Sequence, residues 1–561
     1  MTTHSGWAGG REEVLPEAGS LQGGWREFVL ALLGSIAATV LMTYPLAFHP
    51  GRLGRTDSFD GQFSIWNVAW VAHALVVDPL HVFDANIFYP HRWTLAYSEA
   101  NFGAGILAIP AYWATRNPYV ANNSATLLSF VLSGLGTYYL VRYLTQDRGA
   151  AAVSALCFSF CPYVFAHIAH IQLLMTAGLP FSMLAFHRLV DRPSAGRSVW
   201  LGVAMAAQAA SCGYYAVFVM LMIGVGVLLI ATTRSLWRDL RYWRAVALAG
   251  GVAIALVLPI FAPYVILQRS TGFARSLDAA RDFSADWRAY FASSARAHSW
   301  MLKFLGHWRE VAFPGFVATT FGIVGVVRGW FERGRARELA LLYGAFAVLS
   351  CWASFGPDAA LYSGLYYTVP GFTLLRAASR FCVVVVFSLS VLSGLAFAST
   401  LRRTSRPIIA SIILGSVVVG ELSLTYPYRT VPTLEPAYYV LATLPRGPVL
   451  ELPVYSPKFA FQRSRYMLSS TWHWMPLVDA YSDYIPEEFT RNMAVLADFP
   501  NRDALALLKR DKVRYAVFHL EAYKGDLRSG LNQRLEEFAS SVQRRYSDEQ
   551  IWVYEIVDSS P

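Results

Sequence analysis

The stretch that follows the first apolar run carries Asp57 and Asp60 in "RTDSFDGQFSIW", then Asp84 and Glu99 among its carboxylates. A second break between apolar runs, "FAHIAHIQLL", adds His167, His170 and Gln172. A carboxylate can take a proton from a hydroxyl, and a neutral imidazole can accept or relay one, so these groups together have the makings of a proton-transfer site. Each also has a plainer reading. Asp57 and Asp60 can be solvated loop, Asp84 and Glu99 helix caps or interfacial surface, and His170 the partner of a neighbouring helix. Choosing between the readings requires knowing which surface each stretch reaches.

The solvent of the elements between them is written in the composition. With 55% hydrophobic and 15% charged residues over 561 positions, and a mean hydropathy of +0.37, the chain belongs to a bilayer. Its 10 surplus positive charges occur as short groups between apolar runs, the pattern of membrane topology. Neither a basic face nor a basic tail is present, so no nucleic-acid partner is expected.

Between Phe28 and Thr425 the apolar runs number about eleven, most near the length a spanning helix needs. Gly103 to Trp113 is apolar too, but short and interrupted by Pro110, and reads as interfacial or re-entrant. Alternate loops then carry the arginines: Arg142 and Arg148, Arg188 to Arg197, Arg234 to Arg244, Arg328 to Arg337, and Arg402 to Arg406. That alternation puts the N-terminus inside and the C-terminal segment outside. It also puts the acidic stretch and the "FAHIAHIQLL" turn on one outer face.

The expected fold is an α-helical polytopic membrane protein with a small C-terminal extracytoplasmic α/β domain. Residues 1–25 read as a disordered cytoplasmic tail, since they are polar and Gly-rich with no cleavable signal. Residues 26–425 read as the membrane domain, with outer loops at 49–118 and 268–311. In 426–561 short β-type runs ("GPVLELPVY", "VRYAVFHL", "IWVYEIV") alternate with a helical stretch, "NRDALALLKRDK". The five cysteines all fall in or at apolar runs and read as packing residues, and no metal motif is present.

At this point the chain resembles a known class. The order of an inside N-terminus, an outer loop with an early Asp, and a Pro-containing amphipathic segment looks like the membrane glycosyltransferases of the GT-C class. The phrases "LHVFDANIFYPHRWTLAYSE", "APYVILQRSTGFARS", "FPGF" and "PGFTLLRAASRF" are similar to those of uncharacterised bacterial envelope proteins, and the C-terminal domain to that of YfhO-like membrane proteins.

The resemblance implies a polyprenyl-phosphate-linked sugar as donor, a cell-envelope glycan, lipid or protein as acceptor, and the bacterial inner (cytoplasmic) membrane as the location. Inverting transfer needs a carboxylate base and cations on the leaving phosphate. The class uses an Asp in the first outer loop, which Asp60 matches best and Asp57 second. His170 would assist it, Asp84, Glu99, His167 and Gln172 would face the sugars, and Arg376, Arg380, Arg269 and Arg275 would hold the phosphate. The two Arg of "LLRAASRF" have a plainer role as interfacial anchors.

Where many members of the class carry a second acid, this chain has His167, His170 and Gln172, which leaves a divalent metal open. A non-catalytic transporter or accessory factor binding lipid-linked glycans is the alternative, although the inverted repeats and broken mid-membrane helices of transporters are not visible.

The charge alternation has a direct test. A cysteine introduced at Arg238 is expected to react with a membrane-impermeant maleimide only after permeabilisation. Labelling from outside intact cells would invert the orientation.

Overall fold

The structure, a computed structural model, describes residues 24–424 and 428–557; of the tail expected at 1–25, residues 1–23 lie outside the described residues and Trp25 begins the first helix, and the boundary expected at 425–426 lies outside them too. The chain is a multi-pass helical protein with a small sheet near its C-terminus. Helix α1 (Trp25–Met42) leads through a short turn to β1 (Leu53–Gly54), α2 (Phe59–Val77), α3 (Phe102–Thr115) and α4 (Pro118–Thr145). Next come α5 (Arg148–Ser159) with α6 (Pro162–Ala166), α7 (Ile171–Leu174) with α8 (Gly178–Asp191), α9 (Ala195–Ser211), α10 (Gly213–Thr233) and α11 (Leu240–Thr271). Two short helices, α12 (Leu277–Asp282) and α13 (Ser299–Leu305), precede α14 (Phe316–Phe331), α15 (Arg335–Ser354), α16 (Leu361–Thr368), α17 (Cys382–Leu401) and α18 (Pro407–Leu422).

A helix stands at each of the eleven expected runs. Among the described residues eight segments are long and apolar enough to cross a membrane. The other three, α9, α14 and α18, have 17, 16 and 16 residues, at the short end of what a bilayer requires. Local chemistry sets their ends. Asn117 accepts the Tyr119 and Val120 N–H groups ahead of Pro118, Asp147 caps α5 and Asp239 caps α11. Gly325 of α14 lies so close to α17 that a Cβ there would come within 2.2 Å of the Leu392 carbonyl oxygen, the close backbone approach that small residues allow between membrane helices.

The helix ends opposite the acidic stretch are tied by ion pairs on buried carboxylates. Glu27 accepts from Arg142 at 3.0 Å and Arg148 at 2.9 Å, while Asp191 accepts from Arg234 at 3.0 Å and Arg335 at 2.9 Å. Several arginines that mark the loops by their sign therefore also clamp neighbouring helices together.

The stretch expected as outer loop 49–118 is largely helical. Nearly half of it forms α2, 19 residues long, and α3, 14 residues long. Ser58 caps α2 by accepting the Gly61 N–H, and ten α2 residues are buried. The helix escapes a count of apolar runs because Gln62, Asn67 and His73 interrupt it, and because its apolar surface is turned to protein.

After β2 (Arg429–Thr430), which pairs antiparallel with β1, come α19 (Pro436–Thr443), β3 (Val449–Leu452), α20 (Ser464–Ser470), α21 (Glu487–Leu496) and α22 (Arg502–Arg510). β4 (Tyr515–His519), α23 (Asp526–Glu537), β5 (Val542–Ser547) and β6 (Ile551–Ile556) complete the chain. The sheet order is β3-β4-β6-β5, with β3 and β4 parallel and the remaining pairs antiparallel. β3, β4, β6 and α22 lie at the expected β-type and helical runs. β5 is an edge strand carrying Arg544 and Arg545, the kind of charged edge that resists further pairing and gives little apolar signal.

This sheet does not close its core alone. Trp66, Val71 and Ala74 of α2, together with Ile87, Phe88 and Leu95, pack into one cluster with Leu450, Tyr466, Phe518 and Val553. Asn86 pins the seam: its Oδ1 accepts the Trp66 indole N–H at 3.1 Å, and its amide donates to Ser470 Oγ at 3.0 Å and to the Met475 carbonyl at 3.2 Å. Asn86→Ala would leave a buried indole N–H without a partner, at a cost of about 1–3 kcal/mol. A lower melting temperature of the solubilised protein is expected, with Asn532→Ala on the exposed face of α23 as the unaffected control.

Candidate functional site

Asp60 lies in the first turn of α2, and His170 directly precedes α7. His170 Nε2 stands 3.4 Å from Asp60 Oδ2, with both groups partly open to solvent. The approach is fixed one helical turn along α2, where Ser64 Oγ donates to the Ala169 carbonyl at 2.8 Å. Burial, reinforced by the Arg380 charge, holds the His170 imidazole well below its usual range, to about 4, against the pull of Asp60. The ring is therefore neutral at pH 7, and one of its nitrogens can donate to the carboxylate.

His167 is held separately. Its Nδ1 donates to the Tyr163 carbonyl at 2.8 Å, which leaves Nε2 facing Glu310 at 3.6 Å. Burial raises the Glu310 carboxyl, but the His167 ring, the Ser379 hydroxyl and the Arg380 charge together bring it below the usual carboxylate range.

Arg380 joins the two histidine sites. Its guanidinium lies 3.9 Å over the Tyr214 ring, and its charge acts on Glu99, His170 and Glu310. Glu99 accepts the Gly213 N–H, and burial pushes its carboxyl above the usual range despite Arg380. The Tyr214 hydroxyl accepts the N–H groups of Arg376 and Ala377 at 2.9 and 3.2 Å, so this tyrosine orders the "LLRAASRF" backbone.

A second cluster has Asp483 at its centre. Its Oδ1 meets Arg275 Nη2 at 3.1 Å and Arg376 Nη2 at 3.3 Å, and its Oδ2 accepts from Ser98 Oγ at 2.9 Å. Tyr481 stands between the clusters, with Asp483, Asp60, Arg376 and Arg275 all acting on its hydroxyl. Asp483, an acid of the C-terminal domain, is the anion that two of the proposed phosphate-binding arginines share.

Other candidates lie apart. Asp57 pairs with its neighbour Arg55 at 3.0 Å. Asp84 pairs with Arg92 at 2.9 Å and accepts the Trp93 N–H at 2.8 Å, so it shapes its own loop. Gln172 is half-buried within α7, and Arg269 is exposed in the last turn of α11. Neither joins the contacts of the two clusters among the described residues. The site gains Glu310, Asp483, Tyr481 and Tyr214, none of which stands in a recognisable motif. For the divalent metal left open by the sequence there is no built set of ligands: no three His, Cys, Asp or Glu side chains converge on one point among the described residues.

No family model matches the chain, and no curated protein matches it in sequence. Among solved structures it is similar to the apo oligosaccharyltransferase of Archaeoglobus fulgidus, with TM-score 0.48 and 12% identity over 96% of this chain and 75% of that one. It is also similar to the Archaeoglobus fulgidus oligosaccharyltransferase AglB in complex with an inhibitory peptide and a dolichol-phosphate, with TM-score 0.43 and 12% identity over the same shares of both chains. A third similar structure is ArnT from Cupriavidus metallidurans bound to undecaprenyl phosphate, with TM-score 0.43 and 12% identity over 96% of this chain and 99% of that one. At this identity no residue of those proteins is matched to a residue here.

The depressed His170 pKa has a signed consequence. Between about pH 4 and 6.5 the unfolded chain takes up a proton that the folded site refuses, so stability present above pH 6.5 is lost as pH falls towards 4. His170→Gln is expected to flatten that acid limb in melting curves taken across the range. An unchanged limb would show that other groups produce it.

Proposed function

We propose that the chain is a glycosyltransferase that moves a sugar from a polyprenyl-phosphate-linked donor to a cell-envelope acceptor on the outer face of a bacterial cytoplasmic membrane. The observation that carries this reading is the juxtaposition of an Asp60–His170 pair with guanidinium groups gathered around an anion. One half suits taking a proton, the other suits holding a phosphate.

In this mechanism Asp60 accepts the proton of the acceptor hydroxyl. The acceptor oxygen attacks the anomeric carbon from the face opposite the phosphate, the new glycosidic bond forms, and the bond to the donor phosphate oxygen breaks with its electrons. Polyprenyl phosphate leaves as an anion stabilised by Arg376 and Arg275, and Asp60 later returns its proton to water. Neutral His170 orients the carboxylate without competing for the proton. Arg380 acts at longer range. Stacked on Tyr214, it holds positive potential beside His170 and Glu99.

Asp483 occupies the position between Arg275 and Arg376 that a donor phosphate would take, so phosphate and carboxylate compete for the same donors.

The test is transfer of labelled sugar by purified protein in proteoliposomes, with donor binding measured in parallel. Asp60→Asn is expected to lower turnover by about a hundred- to ten-thousand-fold with donor affinity retained, since Asn keeps the shape and loses the basicity. Arg376→Ala should weaken donor binding, and Asp483→Asn should tighten it. Near-native turnover in Asp60→Asn would remove Asp60 from the base role. Donor binding without transfer in the native protein would favour the accessory-factor alternative.

A further inference from the structure

On the side of α2 away from His170, a cavity of about 710 Å³ opens between the membrane helices and the C-terminal domain. Thr56, Gln62 and Tyr119 form one wall, and residues of α20, β4 and the turns after β4 and β5 form the other. Its size falls in the about 300–1,000 Å³ range of small-molecule sites.

The charges around it balance. Arg465, Lys524 and Arg528 face Glu435, Glu521 and Glu549. His519 also lines the cavity, but it is paired at 2.8 Å with the fully buried Glu451, and both bond the Tyr438 hydroxyl. Burial pushes Glu451 up to about 8 and His519 down to about 3, so this pair adds no charge at neutral pH. A balanced lining gives no field to draw in a polyanion or an isolated phosphate. Nor does such a polar lining suit an acyl chain.

Aromatic faces complete the lining. Trp472 is half-buried with the exposed Tyr439 ring 6.2 Å away, and Tyr119 and Tyr523 flank the space. Arg465 bonds Glu521 and lies 5.0 Å over the Tyr466 ring, while its Nε is buried without an acceptor among the described residues. Flat rings stack against the C–H faces of a sugar. Carboxylates accept from its hydroxyls, and guanidinium and ammonium groups donate to them.

We propose that this cavity is a saccharide-binding site for a neutral oligosaccharide. Gln62 lies two residues beyond Asp60 on α2, and its side chain is fixed by donating to the Thr56 carbonyl at 2.8 Å and accepting from Ser464 Oγ at 3.2 Å. A glycan in the cavity therefore sits across the first turn of α2 from the Asp60–His170 pair. Its role as the non-reacting part of an acceptor rests on the transferase reading, whereas its binding does not.

The test uses the full-length protein in nanodiscs on an array of short neutral hexose and pentose oligosaccharides, followed by titration with the tightest binder. Inorganic phosphate and an uncharged Gly/Ser peptide serve as the competing probes. Saturable binding of a neutral oligosaccharide is expected, weakened about tenfold or more in Trp472→Ala and in Glu549→Gln. Trp472→Phe, which keeps a flat ring, should retain most of the affinity and separates lost stacking from misfolding.

Absence of neutral-saccharide binding, tighter binding of phosphate or peptide, or native affinity in both Trp472→Ala and Glu549→Gln overturns the proposal. Normal sugar transfer by Asp60→Asn would overturn the transferase mechanism instead, while saccharide binding sensitive to Trp472 would still support the site.

Discussion

The position of Asp60 beside His170 depends on α2 being packed from two sides by different parts of the chain. Val68, Ala69 and Ala72 belong to the core of the membrane helices, whereas Trp66, Val71 and Ala74 belong to the core of the C-terminal sheet. Each fully buried large apolar side chain contributes about 1.5–3 kcal/mol, so α2 is anchored independently on both sides. Its first turn, where Asp60 lies, is steadied further by the Ser58 cap and the β1–β2 pair just before it. A carboxylate on the end of such a helix has little freedom to drift from its partner, and the polar contacts of Ser64, Asn67 and Gln62 reach out from the same helix to three separate segments.

Much of the membrane part is legible in sequence because lipid imposes a simple rule. A segment that crosses must be apolar and helical, and each of the eleven apolar runs carries a helix. The rule says nothing about α2, whose apolar residues face protein and alternate with Asn67 and His73. The two polar breaks were also legible as one surface, and Asp60 and His170 do meet there. Asp483 was not legible, since its partners Arg275 and Arg376 lie far away in sequence and only the shared core brings the C-terminal loop over them. Glu310 escaped for the same reason, as one acid in a mixed-charge loop until His167 is placed beside it.

Charge is used differently at the two ends of the bundle. At one end Glu27, Asp191 and Glu338 are each met by guanidinium groups, so charges inside the protein are paired and hydrogen-bonded. At the other end the two histidine pairs are looser: His170 and Asp60 stand 3.4 Å apart and His167 and Glu310 3.6 Å apart, while Arg380 rests on a ring. Tight pairs fix helices in place, and loose pairs leave donors and acceptors able to turn towards an incoming ligand. The same residue types thus serve as fasteners on one side and as exchangeable contacts on the other.

The seam through Asn86 also bears on the order in which the protein matures. Trp66 is made early, yet the residues that cover it, from Tyr438 to Tyr554, are made several hundred residues later. Until those residues are made, the face of α2 that carries Trp66 has no apolar partner, and Arg275 and Arg376 have no Asp483. The nascent chain therefore carries that surface unfinished while the helices in between are made, and only the later C-terminal segment can cover it.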